Sequence, residues 1–289
     1  MEDFIIRIRR GKKNDNLKKY FNNCLNEFEL LTELIDLDNN HYKYIDKPNN
    51  LCRYSDITTY IYNKVEISSS HKYINASWIH IPFLYYFIAT QGPLPYTVED
   101  FWTMCYQYDV NMILMLCKLK EKNKEKCANY WSIKNMKNFV IKKIDEGYLD
   151  KNKDIIIREF LLINLHNKNI TKNIIQIHLT SWEDHTAISP DYFDKIIEII
   201  NFLGNNKKNS PIVVHCSAGV GRTGTFISLY NLYHGIMQQI FIDKKEIIIF
   251  SIFNLVRKLK ELRMNMVQNE EQYICLYHFV DYLLYLKNN

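Results

Sequence analysis

Residues 214–226 read VHCSAGVGRTGTF, a stretch that closes a short apolar run and opens a helical one. The chain has 8 glycines in 289 residues and places three of them here, at positions 219, 221 and 224. Two chemistries fit these letters. Gly219-Val-Gly221-Arg-Thr-Gly224 spells G-x-G-x-x-G, which in dinucleotide-binding folds follows a strand and starts a helix. On the other reading, Cys216 and Arg222 bracket a loop of backbone N–H groups that holds a phosphate. A helix N-terminus carries unpaired N–H groups and partial positive charge, so it favours anions. The same field favours the anionic form of a cysteine, which makes Cys216 a candidate nucleophile. The glycines let successive N–H groups curl into an anion nest. Arg222 adds a planar fork that grips two oxygens at once.

The nucleotide reading needs a distant acid for a ribose hydroxyl, and Asp243 is available for it. The motif begins at residue 219, however, which leaves no room for the repeated βαβ halves of a full dinucleotide fold. No Gly-Lys-Ser/Thr follows to make a P-loop. A buried, inert cysteine at a strand end is the commoner fate of a cysteine, but the arginine and glycine spacing makes it the weaker account. The phosphate reading explains more of the stretch.

Composition narrows the remaining classes. With 47% hydrophobic and 24% charged residues, the chain reads as a soluble globular protein. Apolar runs such as Ile247–Val256 are broken by polar residues and too short to span a bilayer. The opening MEDFIIRIRR lacks the apolar centre of a signal peptide, and neither end carries a lipidation motif. Seven cysteines, an odd number without a C-x-x-C pair, point to free thiols in a reducing compartment. The cytoplasm is therefore the expected location and a monomer the expected form. The net charge of +5 is modest. Lysines crowd residues 118–126 and 134–153 without interleaved aromatics, which predicts solvated loops and strand edges and no nucleic-acid surface. A mild positive balance still helps attract an anionic substrate. No His/Cys/Asp cluster has metal-ligand spacing, so no metal or cofactor is expected.

Periodicity predicts an amphipathic helix over residues 17–35. Strand-like runs follow at Ile57–Ile67, Tyr73–Ile81 and Phe87–Thr90. Thr97-Val-Glu-Asp100 has the capping-box pattern and predicts a helix to about Asp109. A buried strand at Met112–Cys117 precedes β-rich runs at Phe139–Ile144, Ile155–Asn164 and Asn173–Leu179. Asp191–Leu203 reads as a helix ending at Gly204, and Pro211–His215 as a short strand. Helices at Thr225–Ile240, Phe253–Arg263 and Glu270–Lys287 complete an α/β domain with a mixed sheet.

The segment HCSAGVGRTG, His215–Gly224, resembles the Cys-x5-Arg signature loop of the phosphotyrosine-specific protein tyrosine phosphatases. Other segments resemble motifs of that family in the same order: Arg53-Tyr-Ser-Asp56, Tyr73-Ile-Asn-Ala-Ser77, Phe87-Ile-Ala-Thr-Gln-Gly-Pro-Leu94, Asp100-Phe-Trp-x-Met104 and Lys126-Cys-Ala-x-Tyr-Trp131. Downstream, Met266-Val-Gln268 with Gln272-Tyr273 resembles the family's glutamine loop. The resemblance runs from about residue 27 to 283. It implies one phosphatase domain over 27–285, a twisted mixed β-sheet flanked by helices on both faces, with residues 1–26 as a lead-in. The Asn-, Ile- and Lys-rich composition is similar to that of phosphatases carried by insect polydnaviruses. For a viral member, the host-cell cytoplasm and interference with host signalling are implied.

Carried over residue by residue, the resemblance implies that Cys216 attacks phosphorus and forms a phosphocysteine. The N–H groups of Ser217, Ala218, Gly219, Val220 and Gly221, with Arg222, stabilise the equatorial oxygens. Thr223 occupies the hydroxyl position that helps break down the thiophosphate. Gln268 orients the hydrolytic water and Gln272 supports it. Tyr54 walls a deep cleft that suits phosphotyrosine, which disfavours dual specificity, and Asp56 holds the substrate backbone. His215 tunes the loop, and Glu121 and Lys126 brace Arg222 and the acid loop. Cys52 replaces the family's asparagine, an expected loosening of the Tyr54 loop. Phosphotyrosine-containing proteins are the implied partners.

The acid loop departs from its pattern. The family reads Trp-Pro-Asp-x-Gly-x-Pro where this chain reads Trp182-Glu183-Asp184-His185-Thr186-Ala187-Ile188. Asp184 remains to protonate the leaving phenolate, but the residues that set the loop's backbone are gone. Glu183 adds a second carboxylate, and if both were buried together their repulsion would make one hold its proton. Two functions follow: an active phosphatase, or a phosphotyrosine-binding pseudophosphatase with little turnover.

Overall fold

The strand that delivers Cys216, β10 (Ile212–His215), lies inside a seven-stranded sheet and is buried along its whole length. It runs parallel to β3 (Phe87–Thr90) on one side and to β4 (Met112–Met115) on the other. A strand covered on both faces has no polar side to alternate, hence the unbroken Ile-Val-Val. In this computed structural model, residues 4–9, 23–38, 43–45, 50–81, 86–149, 151, 153–166, 170–204 and 210–286 are described.

The sheet order is β2-β3-β10-β4-β9-β8-β7, with β2 at Ala76–Ile79, β7 at Phe139–Tyr148, β8 at Ile155–Asn164 and β9 at Thr171–Leu179. The four central strands are parallel, and the outer pairings are antiparallel. Two small ladders stand apart: β1 (Ile6–Arg9) with β11 (Ile247–Phe250), and the hairpin of β5 (Lys120–Glu121) and β6 (Lys124–Glu125). The helices are α1 (Cys24–Asp38), α2 (Val98–Gln107), α3 (Pro190–Gly204), α4 (Gly221–Met237), α5 (Ile252–Leu262) and α6 (Glu270–Leu286). The result is the mixed α/β architecture expected.

Helix α4 is buried without interruption from Gly221 to Leu232. A helix buried on all sides cannot be amphipathic, which is why its sequence shows no clear stripe. It packs against α5 and α6, and α1 packs on the same two helices.

Several sequence expectations need correction. Ile57–Ile67 forms no strand. Ile57, Tyr60, Val65 and Ile67 are buried, but the backbone pairs one group at a time, as at the Tyr44–Tyr60 and Lys64–Ser77 bridges, around a 3-10 turn at Ile61–Asn63. Burial alone satisfied the β-like pattern without a ladder. Of Tyr73–Ile81 only Ala76–Ile79 pairs. Helix α2 starts as expected, but no capping box forms: the Thr97 hydroxyl accepts the Leu94 N–H at 2.9 Å, and Asp100 takes His71 at 2.7 Å. Strands β1 and β11 escaped the sequence because each is four residues long and finds its partner more than 230 residues away. β1 lies within the stretch read as a lead-in, and its Ile6 and Ile8 are buried in the core. The first residues of the expected 17–35 helix, 17–22, lie outside the described residues, and the helix is seen from Cys24.

Candidate active site

The loop 216–220 joins β10 to the first turn of α4, so its geometry follows from what holds its carbonyls. Every one of them is bound on the outer side. The Cys216 oxygen lies 3.2 Å from His215 Nδ1, and Ser217 accepts from the Gly92 N–H at 2.9 Å. Arg263 donates to Ala218 at 3.2 Å and to Gly219 at 2.8 Å. Val220 accepts from the N–H groups of Gly224 and Val267, at 2.8 and 3.3 Å. In a trans peptide the N–H points opposite the C=O. Tying five carbonyls outward therefore turns the N–H groups of residues 217–221 inward. That of Gly219 meets the Cys216 sulfur at 3.3 Å.

Gly219 sits at φ +73, and a Cβ there would lie 2.1 Å from the Thr90 carbonyl oxygen. Only glycine fits. Gly224 is excluded from substitution differently, since its Cβ would meet the Val267 nitrogen at 2.5 Å. Two of the three glycines of the apparent dinucleotide motif thus serve close backbone approach. Asp243 pairs with Lys245 at 3.5 Å beyond the far end of α4, about 25 Å from the loop. It is no ribose acid.

Arg222 is buried, and its two terminal nitrogens grip Glu121 at 2.7 and 3.2 Å. The same guanidinium donates to the Trp182 carbonyl at 2.8 Å and lies 3.2 Å from Asp184. Its buried Nε and the buried Thr223 hydroxyl meet no hydrogen-bond partner among the described residues. Unpaired buried polar groups are costly, so these two stand out within the residues that follow the loop.

The acid loop is folded over the site by bonds that this chain's own residues supply. Trp182 Nε1 donates to the Thr186 carbonyl at 2.8 Å, and the Thr186 hydroxyl to the Glu183 carbonyl at 2.9 Å. Asn269 holds the His185 carbonyl at 3.0 Å, and Glu271 the Ala187 N–H at 3.3 Å. His185, at φ +64, makes the left-handed turn, so the missing glycine at 186 is not needed there. Glu183 is exposed while Asp184 is half-buried, so the two carboxylates are not buried together as the sequence allowed. Burial pushes the Asp184 carboxyl up, but the Lys126 hydrogen bond at 2.5 Å and the Arg222 charge outweigh it and hold it below the usual carboxylate value. The repulsion expected from Glu183 does not decide this group.

His215 is buried, which drives its pKa down to about 3 despite its bond to the Cys216 carbonyl. It is neutral, donates through Nδ1 and accepts the Tyr130 hydroxyl at Nε2, 3.0 Å away. Gln176 in turn donates to Tyr130 at 2.5 Å. Tyr54 meets the Ser217 hydroxyl at 2.9 Å, which places its ring at the loop's rim, and Asp56 is exposed two residues on. Cys52 does not leave that loop unbraced: its sulfur lies 3.4 Å from both the Tyr73 hydroxyl and Asn75 Nδ2. Gln268 and Gln272 both come against Gly221, and Gln272 Oε1 accepts the Gln268 N–H at 2.9 Å.

Two arginines in this assembly had no assigned role in the sequence. Arg53 donates to the Gly92, Pro93 and Glu125 carbonyls and ties the Tyr54 loop to the β6 side. Arg263 is fully buried, and its other bonds reach Asn75 at 2.7 Å and Ser77 at 3.2 Å. A basic residue ending an amphipathic helix gives no sign that it is buried. The Arg-Tyr dipeptide at 53–54 was the one available signal for Arg53.

A family model described as protein-tyrosine phosphatase matches residues 48–282, and the chain belongs to that family. It is 35% identical to mouse receptor-type tyrosine-protein phosphatase eta over 238 residues, 78% of this chain and 18% of the relative. It is 32% identical to human tyrosine-protein phosphatase non-receptor type 13 over 288 residues, 97% of this chain and 11% of the relative. The chain thus spans less than a fifth of the length of these two relatives. Among solved structures, the catalytic domain of human protein tyrosine phosphatase non-receptor type 18 superposes with a TM-score of 0.79 at 28% identity, covering 90% of this chain and 96% of that one. The same phosphatase in complex with HER2 phosphopeptides also matches, with a TM-score of 0.79 at 27% identity over 90% and 93% of the two chains. No helix among the described residues is long and apolar enough to cross a membrane.

Proposed function

We propose that this chain hydrolyses phosphotyrosine in proteins, with Cys216 as nucleophile, Asp184 as general acid and base, and Arg222 as phosphate ligand. The observation that carries this reading is the set of outward-tied carbonyls at 216–220, which aims five N–H groups at the space around the Cys216 sulfur. The Cys216 sulfur attacks phosphorus in line as the bond to the tyrosine oxygen breaks. Asp184 gives its proton to that oxygen, and the N–H groups with Arg222 hold the equatorial charge. A water positioned by Gln268, itself held by Gln272, then attacks phosphorus. Its proton passes to Asp184, and the thiolate leaves with the Thr223 hydroxyl close by. Tyr54 walls the ring of the substrate, and Asp56 is placed to hold its backbone.

With no substrate bound, Asp184 pairs with Lys126 and Arg222 and is ionised. An arriving phosphate dianion competes for Arg222 and repels the carboxylate, so Asp184 takes up the proton it must donate only when substrate binds. The enzyme should cleave an aryl phosphate without added metal, and Cys216→Ser should abolish this. Asp184→Ala should lower kcat by about 10²–10⁴. Equal inertness of wild type and Cys216→Ser would sink the enzyme reading. The second reading, a phosphotyrosine-binding pseudophosphatase, is motivated by the altered acid loop. An already minimal rate that Asp184→Ala leaves unchanged supports it. A viral member acting in the host-cell cytoplasm is a finer reading carried by composition, and the genes flanking its coding sequence check it.

A further inference from the structure

Of the lysines at 118–126 only Lys126 entered the chemistry above, yet the others are not scattered at random. Lys118, Lys120, Lys122, Lys124 and Lys126 line one cavity of about 420 Å³ between the β5–β6 hairpin and the acid loop. Three carboxylates share it: Glu121, Glu183 and Asp184. Glu121 is taken up by Arg222, and Asp184 by Lys126 and Arg222. Lys120 has a weak, exposed partner in Glu125 at 3.7 Å. Lys118, Lys122 and Lys124 form no ion pair among the described residues. The cavity therefore carries uncompensated positive charge.

Its position relative to the phosphate site is set by the same contacts. Glu121 binds the Arg222 guanidinium through both oxygens and also accepts the Lys118 N–H at 3.1 Å. The hairpin thus hangs from the phosphate-binding arginine. The tip, Lys122-Asn123, has φ values of 46 and 62, the two-residue turn that keeps a hairpin tight. Lys126, Trp182 and Asp184 belong to both the cavity and the catalytic site. The cavity therefore borders the candidate catalytic site directly.

We infer that the cavity is a specificity subsite for acidic side chains of the phosphotyrosine substrate, read by Lys118, Lys122 and Lys124. The proposal rests on the phosphatase reading and adds a substrate class to it. Exposed charge pairs are individually weak and screened by salt. The subsite should therefore discriminate through several contacts and mainly through KM, and its effect should fade as salt rises.

The test uses the full chain and two phosphotyrosine peptides alike except that the flanking positions on both sides are Glu in one and Gln in the other. p-Nitrophenyl phosphate serves as a substrate that cannot reach the rim. At low salt the Glu peptide should show about tenfold higher kcat/KM, expressed in KM, and lose most of this in 0.5 M salt. The triple variant Lys118→Gln, Lys122→Gln, Lys124→Gln should cleave both peptides alike while retaining p-nitrophenyl phosphate turnover. Lys122→Glu, a single change at the turn, should weaken the preference without disturbing the ladder. Equal kcat/KM for the two peptides in wild type, with p-nitrophenyl phosphate cleaved, overturns the subsite and leaves the phosphatase reading standing. No turnover of p-nitrophenyl phosphate fails the phosphatase reading itself. Phosphatidylserine vesicles that bind wild type and not the triple variant, with both peptides cleaved alike, would assign the lysines to a membrane surface and overturn the proposal.

Discussion

At the residue scale, the site depends as much on side chains that never meet substrate as on Cys216. Arg263 illustrates this. Burial lowers its pKa to about 10, yet it stays charged at neutral pH and spends that charge on two loop carbonyls and Asn75. Arg263→Met keeps the volume and removes the donors. The charge's own desolvation cost is recovered, but the abandoned acceptors cost about 1–3 kcal/mol each, so unfolding free energy should fall by about 2–4 kcal/mol. The carbonyls of 218 and 219 would be free to rotate inward and displace N–H groups. The expected drop in kcat/KM is about 10²–10³, together with weaker competitive inhibition by phosphate. A variant less stable but fully active, with unchanged phosphate inhibition, would reduce Arg263 to a packing role.

At the element scale, α1 is tied to α6 by a buried carboxylate. Glu27 accepts the hydroxyls of Tyr273, at 2.6 Å, and of Tyr277. Burial first, and the adjoining Tyr277 and Glu27 next, push the Tyr273 hydroxyl far up, so it is a permanent donor. Glu27→Ala removes the carboxylate acceptor that two buried hydroxyls share and should cost about 1–3 kcal/mol in urea unfolding. Adding Tyr273→Phe and Tyr277→Phe should recover part of that loss, because neither position then needs the carboxylate. A cost below about 0.5 kcal/mol for Glu27→Ala would mean that α1 is not docked as described. The acid loop makes the same point with weaker bonds: Thr186, Asn269 and Glu271 replace, by hydrogen bonding, the stiffness that two prolines supply in the family pattern.

At the scale of the whole molecule, buried neutral histidines set the acid limit. Burial lowers His178 to about 4 and His215 to about 3, whereas the unfolded chain titrates near 6.5. Below pH 6.5 the unfolded state binds these protons first, so stability is complete above that value and is lost as pH falls toward the folded values. At pH 5 each histidine should cost about 2 kcal/mol. Asp184 has its pKa lowered, so its contribution persists through this window and fades only at lower pH. Urea midpoints should be clearly lower at pH 5.0 than at pH 7.5, and His178→Asn should flatten the slope. Identical midpoints at the two pH values would contradict the burial of both rings. Much was legible in the chain beforehand: β10 and the Cys216–Arg222 loop follow from local spacing, α4 was expected over Thr225–Ile240 and spans Gly221–Met237, and Ile155–Asn164 matches β8 residue for residue. Local pattern sufficed there because those elements are decided by neighbours within a few residues. It failed at Ile57–Ile67, where burial without pairing imitates a strand, and at β1 and β11, whose partner lies across the chain. The sequence by itself determined which chemistry is present: a thiol, a guanidinium and an amide-lined turn. Only the tertiary structure decided that Arg263, His215 and Gly92 turn the amides inward, that Asp184 is shared between two cations, and that five lysines border one cavity. The physical reason is that hydrogen-bond direction and charge compensation depend on groups distant in sequence, which no local periodicity records.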